Sequence, residues 1–429
     1  MFASLYEIDS HKNMNNNLLI TIALLFLALL LHQSQVIFGV NISFSDLFCL
    51  IIFVTLVYRN QLLIPLAPLL YFLIVSMVVL VTAVFYIPFH FMYNPVPTRL
   101  LSEYIKLMAI FIYFIFGYNL LKVGLMEKTI KWYSIFGMVI GGLGLLWTVL
   151  NIPIFSDILF FEHTRYRGLM IDPNYFAVLQ ISANVYISRA SHIKPKYKFI
   201  ALFITASAVL ISGSKTGILT LFCYLVLRVS EYVFTKNKRA LSVITQIFLV
   251  IFLILFIPLM VSFLQNFVTV LSSSIPAFAR VQVLFTDFSS AFSENGSGRN
   301  ITWKVAWSLI QLSPIIGIGI GTYSNIAIEL FNQSDISHNT FLQVSTEWGL
   351  PLAVLLFSYV FFILGKATNS RLFNAEVNFI LRDIIIVLLL GSMAISLNNA
   401  RILWLVLGGL MASLDRNENL KKYKREQNV

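Results

Sequence analysis

Apolar runs recur along almost the whole chain, many long enough to cross about 30 Å of hydrocarbon, and no long polar stretch separates them. Inside hydrocarbon every backbone amide and carbonyl needs an internal partner, so only helices and closed barrels can span it. Runs of this length fit helices, and the pattern predicts an all-α, polytopic membrane helical bundle forming a single domain over 1–429. Composition agrees. Hydrophobic residues make up 58% of the chain and charged residues only 11%, against about a quarter charged in a soluble domain. The net charge of +11 does not point to nucleic acid, because in a membrane protein the placing of cations matters more than their sum.

The runs fall near 16–32, 40–58, 62–86, 99–121, 132–152, 174–189, 199–212, 217–235, 241–265, 339–365, 377–396 and 402–414, about twelve transmembrane helices. The first follows Lys12 without a small-residue cleavage site after it, and reads as an uncleaved anchor. Lys and Arg in short loops mark the cytoplasmic side. Lys12, Arg59, the groups around Lys122, Lys194 and Lys236, then Lys366, Arg371 and the tail from Lys421 to Arg425 occur at alternate ends of the runs. Both termini are therefore expected in the cytoplasm. Cys49 and Cys223 lie within apolar runs and read as packing residues.

On this threading the other face receives a long extracytoplasmic segment, 266–338, between helices 9 and 10. It contains an amphipathic stretch from Ile301 to Leu312 and the run Gly317-Ile318-Gly319-Ile320-Gly321. The glycine spacing lacks the βα context and later acidic residue of a dinucleotide site and reads as tight packing. Part of the segment is expected to fold back as a lid or re-entrant piece.

Four polar motifs thread to that same face. They are Arg165-Tyr166-Arg167-Gly168 with Asp172-Pro173-Asn174, Ser212-Gly213-Ser214-Lys215-Thr216-Gly217, Gly298-Arg299, and Ser337-His338-Asn339. Arg99, Arg165, Arg167, Lys215, Arg280, Arg299, Lys304 and Arg401 stand where positive charge is disfavoured topologically, so another role placed them. A guanidinium fork suits phosphate oxygens, and an anionic headgroup is the natural ligand. The plain alternative for Arg165 and Arg167 is contact with lipid phosphates at the interface. Lys215 between two apolar runs costs roughly 2 to 3 kcal/mol unless shallow or paired. Arg299 follows the flexible Gly296-Ser297-Gly298, its alternative being a charge at a helix start. His338 heads a helix and is the best-placed of the six histidines to accept a proton, with His163 second and helix capping as the alternative. Together these groups suit a glycosyl transfer: His338 activates an acceptor hydroxyl while cations stabilise a leaving pyrophosphate. The acidic residues on this face are scattered, which argues against a two-carboxylate glycosidase and against a metal site.

In order and spacing, Arg165-x-x-Gly168 with Asp172-Pro173-Asn174, the Ser-Gly-Ser-Lys turn, Gly298-Arg299 with Trp303, the segment from Pro314 to Gly321, and His338-Asn339-x-x-Leu342 with Glu347-x-Gly349 resemble the bacterial O-antigen polymerase and O-antigen ligase superfamily. The resemblance covers about 160–350. It implies a GT-C-like, metal-independent, inverting glycosyltransferase without cofactor, acting outside the cytoplasmic membrane on undecaprenyl-pyrophosphate-linked oligosaccharide. It also implies Arg299 and His338 as the central pair, with Lys215, Arg165, Arg167, Asn174 and Asn339 as substrate-binding residues. Ser214-Lys215 departs from the Ser-Arg of many ligases, keeping the charge and losing the fork.

The Asp-Pro-Asn form of the first motif favours a capsule or exopolysaccharide repeat-unit polymerase over a ligase. Membrane lipid is an expected partner, with a flippase and a chain-length regulator as further candidates. The competing readings are ligase-type transfer to another acceptor, a flippase for lipid-linked oligosaccharide, and a scaffold. Transporters show matched halves, whereas the motifs here gather asymmetrically.

Overall fold

The computed structural model describes residues 18–37, 40–150, 152, 154–235, 298–369 and 375–427, with 262, 265, 266, 268–270, 272, 281 and 282. The ninth expected helix, 241–265, and 266–297 of the long segment lie almost wholly outside the described residues. So do Lys12, Lys236, Arg280 and Arg371.

Helices dominate what is described. They are α1 (Leu18–Leu30), α2 (Ser45–Tyr58), α3 (Leu66–Val81), α4 (Pro97–Lys122), α5 (Met126–Val149), α6 (Pro173–Arg189) and α7 (Pro195–Ile211) in the first half of the chain. There follow α8 (Lys215–Thr235), α9 (Arg299–Leu312), α10 (Tyr323–Phe331), α11 (Thr340–Trp348), α12 (Leu350–Asn369), α13 (Ala375–Ser392) and α14 (Arg401–Gln427). Two small antiparallel pairs are the strands: β1 (Gln35–Ile37) with β2 (Val40–Ile42), and β3 (Phe160–Phe161) with β4 (Arg165–Tyr166).

Four helical stretches among the described residues, Leu66–Phe91, Pro97–Lys122, Met126–Val149 and Leu350–Thr368, are long and apolar enough to cross a membrane, and α1 and α2 are shorter apolar helices. This is a polytopic helical membrane protein. The apolar runs do not all become uninterrupted helices of spanning length. The run 62–86 continues through a π-turn at Thr82–Tyr86 to Phe91. The run 339–365 is two helices, broken at Gly349, whose φ of 84° and whose place 2.1 Å from the Ile315 carbonyl, measured from an added Cβ, admit only glycine.

The break lets another glycine-rich stretch in. Ile318 and Gly319 donate to the Thr346 and Glu347 carbonyls at 2.9 and 3.1 Å, Leu350 donates to Pro314, and Ile320 reaches back to Val79 in α3. Irregular backbone is satisfied here by neighbouring protein, as burial requires. The glycine run is thus a backbone-to-backbone interlock between α3 and α11.

Helix α6 is the centre of the bundle. From Phe176 to Ile187 every side chain is buried, and α5, α7, α8 and α13 pack around it. A helix buried on every side, here with Gln180, Ser182 and Asn184 among its buried residues, sits in the core, so its first turn is rigidly held. α14 and α4 form the most extensive helix pair. They cross with a Cβ at Gly408 falling 2.0 Å from the Phe114 carbonyl and one at Gly117 falling 1.8 Å from the Leu405 carbonyl. Gly408→Ala is expected to cost about 1–3 kcal/mol by forcing the pair apart. A melting curve in detergent unchanged from wild type would refute the close crossing.

Candidate active site

The hairpin β3–β4 hangs from one tyrosine. Tyr166 is buried, its ring set edge-on to Phe160 and Phe176 at 5.4 and 5.1 Å, and its hydroxyl donates to the Ile140 carbonyl at 2.9 Å. That anchor holds the neighbouring Arg165 inward. Arg165 Nε donates to the Ser212 carbonyl at 3.0 Å and Nη2 to Asn174 Oδ1 at 3.1 Å.

Asp172-Pro173-Asn174 is a helix start written in the sequence. Asp172 Oδ1 accepts from the Asn174 and Tyr175 amides at 2.7 and 2.9 Å, and Pro173 occupies the first helical position, where no amide hydrogen is needed. Asn174 is then oriented by its own cap, with Nδ2 3.4 Å from Asp172 Oδ2, and offers its oxygen to Arg165.

Ser212-Gly213-Ser214-Lys215 is a stop followed by a start. Ser212 Oγ donates back to Val209 to close α7, and Ser214 Oγ accepts from the Gly217 amide at 2.9 Å to cap α8. Lys215 is the first residue of α8 and is buried. Arg299, also buried, is the first residue of α9, entered from Gly298.

His338 stands two residues ahead of α11 with φ 48°, a left-handed conformation uncommon for a side chain of this size. Its flanks pin it. Ser337 Oγ donates to the Asn339 carbonyl and to Gln343 Oε1, Asn339 Oδ1 caps the Leu342 amide, and Asn339 Nδ2 donates to the Met393 carbonyl at 2.9 Å. Burial chiefly, and then the nearby Arg299, lower the imidazole pKa from its ordinary 6.5, while Asp172 and Asp335 pull it the other way. At neutral pH the ring is uncharged and able to take a proton.

These pieces meet. Arg165, Asp172, Asn174, Gly213, Lys215, Arg299 and His338 line one cavity of about 150 Å³. It holds three cations against one carboxylate. The starts of α6, α8 and α9, and the approach to α11, converge on it, and the N-terminal end of a helix carries partial positive charge. The arrangement suits a polyanion beside an uncharged base. Among the described residues no group of three or more His, Cys, Asp or Glu side chains is placed to hold a metal ion.

Two of the residues expected from the sequence do not line the cavity. Arg167 donates instead to the Ile158, Ile171 and Asp157 carbonyls and staples its own loop. Asn339 works as the α11 cap. His163 is exposed, 3.4 Å from Asp157. Arg99 bonds Ser324 and Asn325, Arg401 is paired with Asp46 at 3.1 Å, and Lys304 is exposed. Asp172 and Gly213 line the cavity although sequence reasoning gave them no separate role; the capping pattern of Asp-Pro-Asn was the available signal.

Residues 200–357 match a family model, Wzy_C, described as O-antigen ligase. The matched stretch carries Lys215, Arg299 and His338, and it supports assignment to the O-antigen polymerase and ligase-like superfamily. That family indicates a membrane enzyme that transfers glycosyl groups. A search of curated proteins finds no match to the chain.

Proposed function

We propose that the protein polymerises polyprenyl-pyrophosphate-linked oligosaccharide repeat units at the extracytoplasmic face of the membrane, by inverting glycosyl transfer without a metal. The observation that carries this reading is the single cavity in which Arg165, Lys215 and Arg299 surround His338. A pyrophosphate there meets two guanidinium groups, an ammonium and converging helix starts. His338 removes the proton of an acceptor hydroxyl, whose oxygen attacks the anomeric carbon of the donor sugar. The bond from that carbon to the pyrophosphate breaks on the opposite side, so the configuration inverts, and the cations take up the charge on the departing phosphate. Undecaprenyl is the carrier that the resemblance implies.

Ligation to a different acceptor is the second reading, favoured by the description of the matched family model itself. Purified protein given a synthetic lipid-pyrophosphate-linked repeat unit and a chelator is expected to make a ladder of products. A single addition that needs a second, chemically different acceptor would replace polymerisation with ligation. A ladder abolished by the chelator and restored by a divalent ion would overturn metal independence.

A further inference from the structure

A second cavity, of about 220 Å³, opens beside the first at the same end of α6. The two are linked through the protein. Asn174 lines one and the next residue, Tyr175, lines the other; Ser337, adjacent to His338, bonds Gln343, which bonds Glu347, and both of these face the second cavity.

Its chemistry is different. Two of the cations along its wall are paired with carboxylates, Lys106 with Glu103 at 2.7 Å and Arg401 with Asp46 at 3.1 Å, while Arg99 donates to the neutral Ser324 and Asn325 side chains. Two of the three cations here are thus already answered by a carboxylate. What the wall offers instead is unmatched hydrogen-bonding capacity. Gln33, Tyr323 and Ser396 line it, and their Nε2, hydroxyl and Oγ atoms are buried without a hydrogen-bond partner; Gln33 and Tyr323 are only 6% and 2% exposed. A buried polar atom left unmatched costs about 1–3 kcal/mol, so these positions call for a ligand or for water. One amide donor and two hydroxyls, each able to donate and accept, complement a neutral polyol, and the size suits a single sugar ring.

We propose that this second cavity seats one neutral sugar ring of the glycan substrate, holding it beside the pyrophosphate site. The proposal rests on the glycosyl-transfer reading above. It assigns Gln33, Tyr323 and Ser396 as sugar-binding residues and Ser337, Gln343 and Glu347 as the connection to the His338 loop.

The test uses the full chain in lipid nanodiscs and saturation-transfer NMR with methyl glycosides of common neutral hexoses and N-acetylhexosamines. At least one is expected to bind wild type, and about tenfold more weakly to Tyr323→Phe and to Ser396→Ala. Neither variant removes a protein hydrogen bond at the altered hydroxyl, so both are expected to melt at or above the wild-type temperature. Inorganic pyrophosphate, directed to the first cavity, should not displace the sugar. Binding of none of these glycosides, unchanged affinity in both variants, or displacement by pyrophosphate would each overturn the second site. The product ladder reports separately: sugar binding without any transfer by wild type sinks the polymerase reading and leaves the sugar site standing.

Discussion

Replacement of His338 by alanine is expected to lower turnover about 10²–10⁴-fold, the usual contribution of a positioned general base. Binding of inorganic pyrophosphate should survive, because Arg165, Lys215 and Arg299 line the cavity independently of the imidazole. Arg299→Ala should instead weaken pyrophosphate binding and slow transfer by about 10²–10³-fold, as loss of one preorganised donor to a developing charge does. The pH dependence separates the base from a merely structural histidine. Burial and Arg299 lower the His338 pKa from 6.5, so the ring is neutral and active above that lowered value and becomes protonated as pH falls through it. The acid limb of kcat/KM, which reports the free enzyme, therefore lies below 6.5 in wild type. Arg299→Gln removes a nearby positive charge and should move the limb upward, in whatever activity remains. An acid limb that persists unmoved in His338→Ala would show that another group titrates and would remove His338 from the base role.

The legible part of this site was local. Asp172-Pro173-Asn174 can be recognised as a helix start because each residue answers a specific need of a helix N-terminus: an acceptor, a fixed φ, and a side chain beside the cap. Ser214 before Lys215 can be read the same way. What such patterns do not contain is direction. Arg165 and Arg167 are two residues apart in one motif, yet the first turns inward on the Tyr166 anchor and the second closes its own loop, since β4 ends at Tyr166 and the chain turns at Gly168, where φ is 58°. Glu347 belongs in sequence to the same motif as His338, but it stands near the far end of α11, which delivers it to the other cavity. The bounds of a run could not be read where glycines allow backbones to interlock, as at Gly349, because apolar composition does not reveal a break that depends on φ. The bundle class could be read from hydropathy alone; the second cavity could not, because its walls come from the segment after α1 and from α4, α6, α10, α11 and α14, which are remote in sequence.

Hydropathy also conceals the charged cluster at the other end of α6, and its disruption is the second large effect. Asp383 is 0% exposed, next to Arg382 in a largely apolar helix. It accepts from Arg189 at 2.7 Å, from Arg382 at 2.7 Å and from the Tyr224 hydroxyl at 3.2 Å. Glu231 completes the network by bonding Arg189, Arg382 at 3.0 Å and Arg228 at 2.7 Å, so that α6, α8 and α13 are tied by one set of ions. Phe379 lies under both Arg189 and Arg382, at 5.3 and 4.8 Å. Removing one member of a buried set leaves the rest uncompensated, which costs about 3–5 kcal/mol. Asp383→Ala is therefore expected to lower the melting temperature and the yield of folded protein sharply. Arg189 is fifteen residues from Asn174 along one helix, roughly 22 Å, so the fraction that folds should keep near-normal transfer per molecule. Asp383→Asn keeps the hydrogen bonds to Arg189 and Tyr224 in part and should be milder. A variant that melts like wild type would show that the cluster contributes little to stability, while a stable variant that loses transfer would mean that the two ends of α6 are coupled and that this charge serves the reaction.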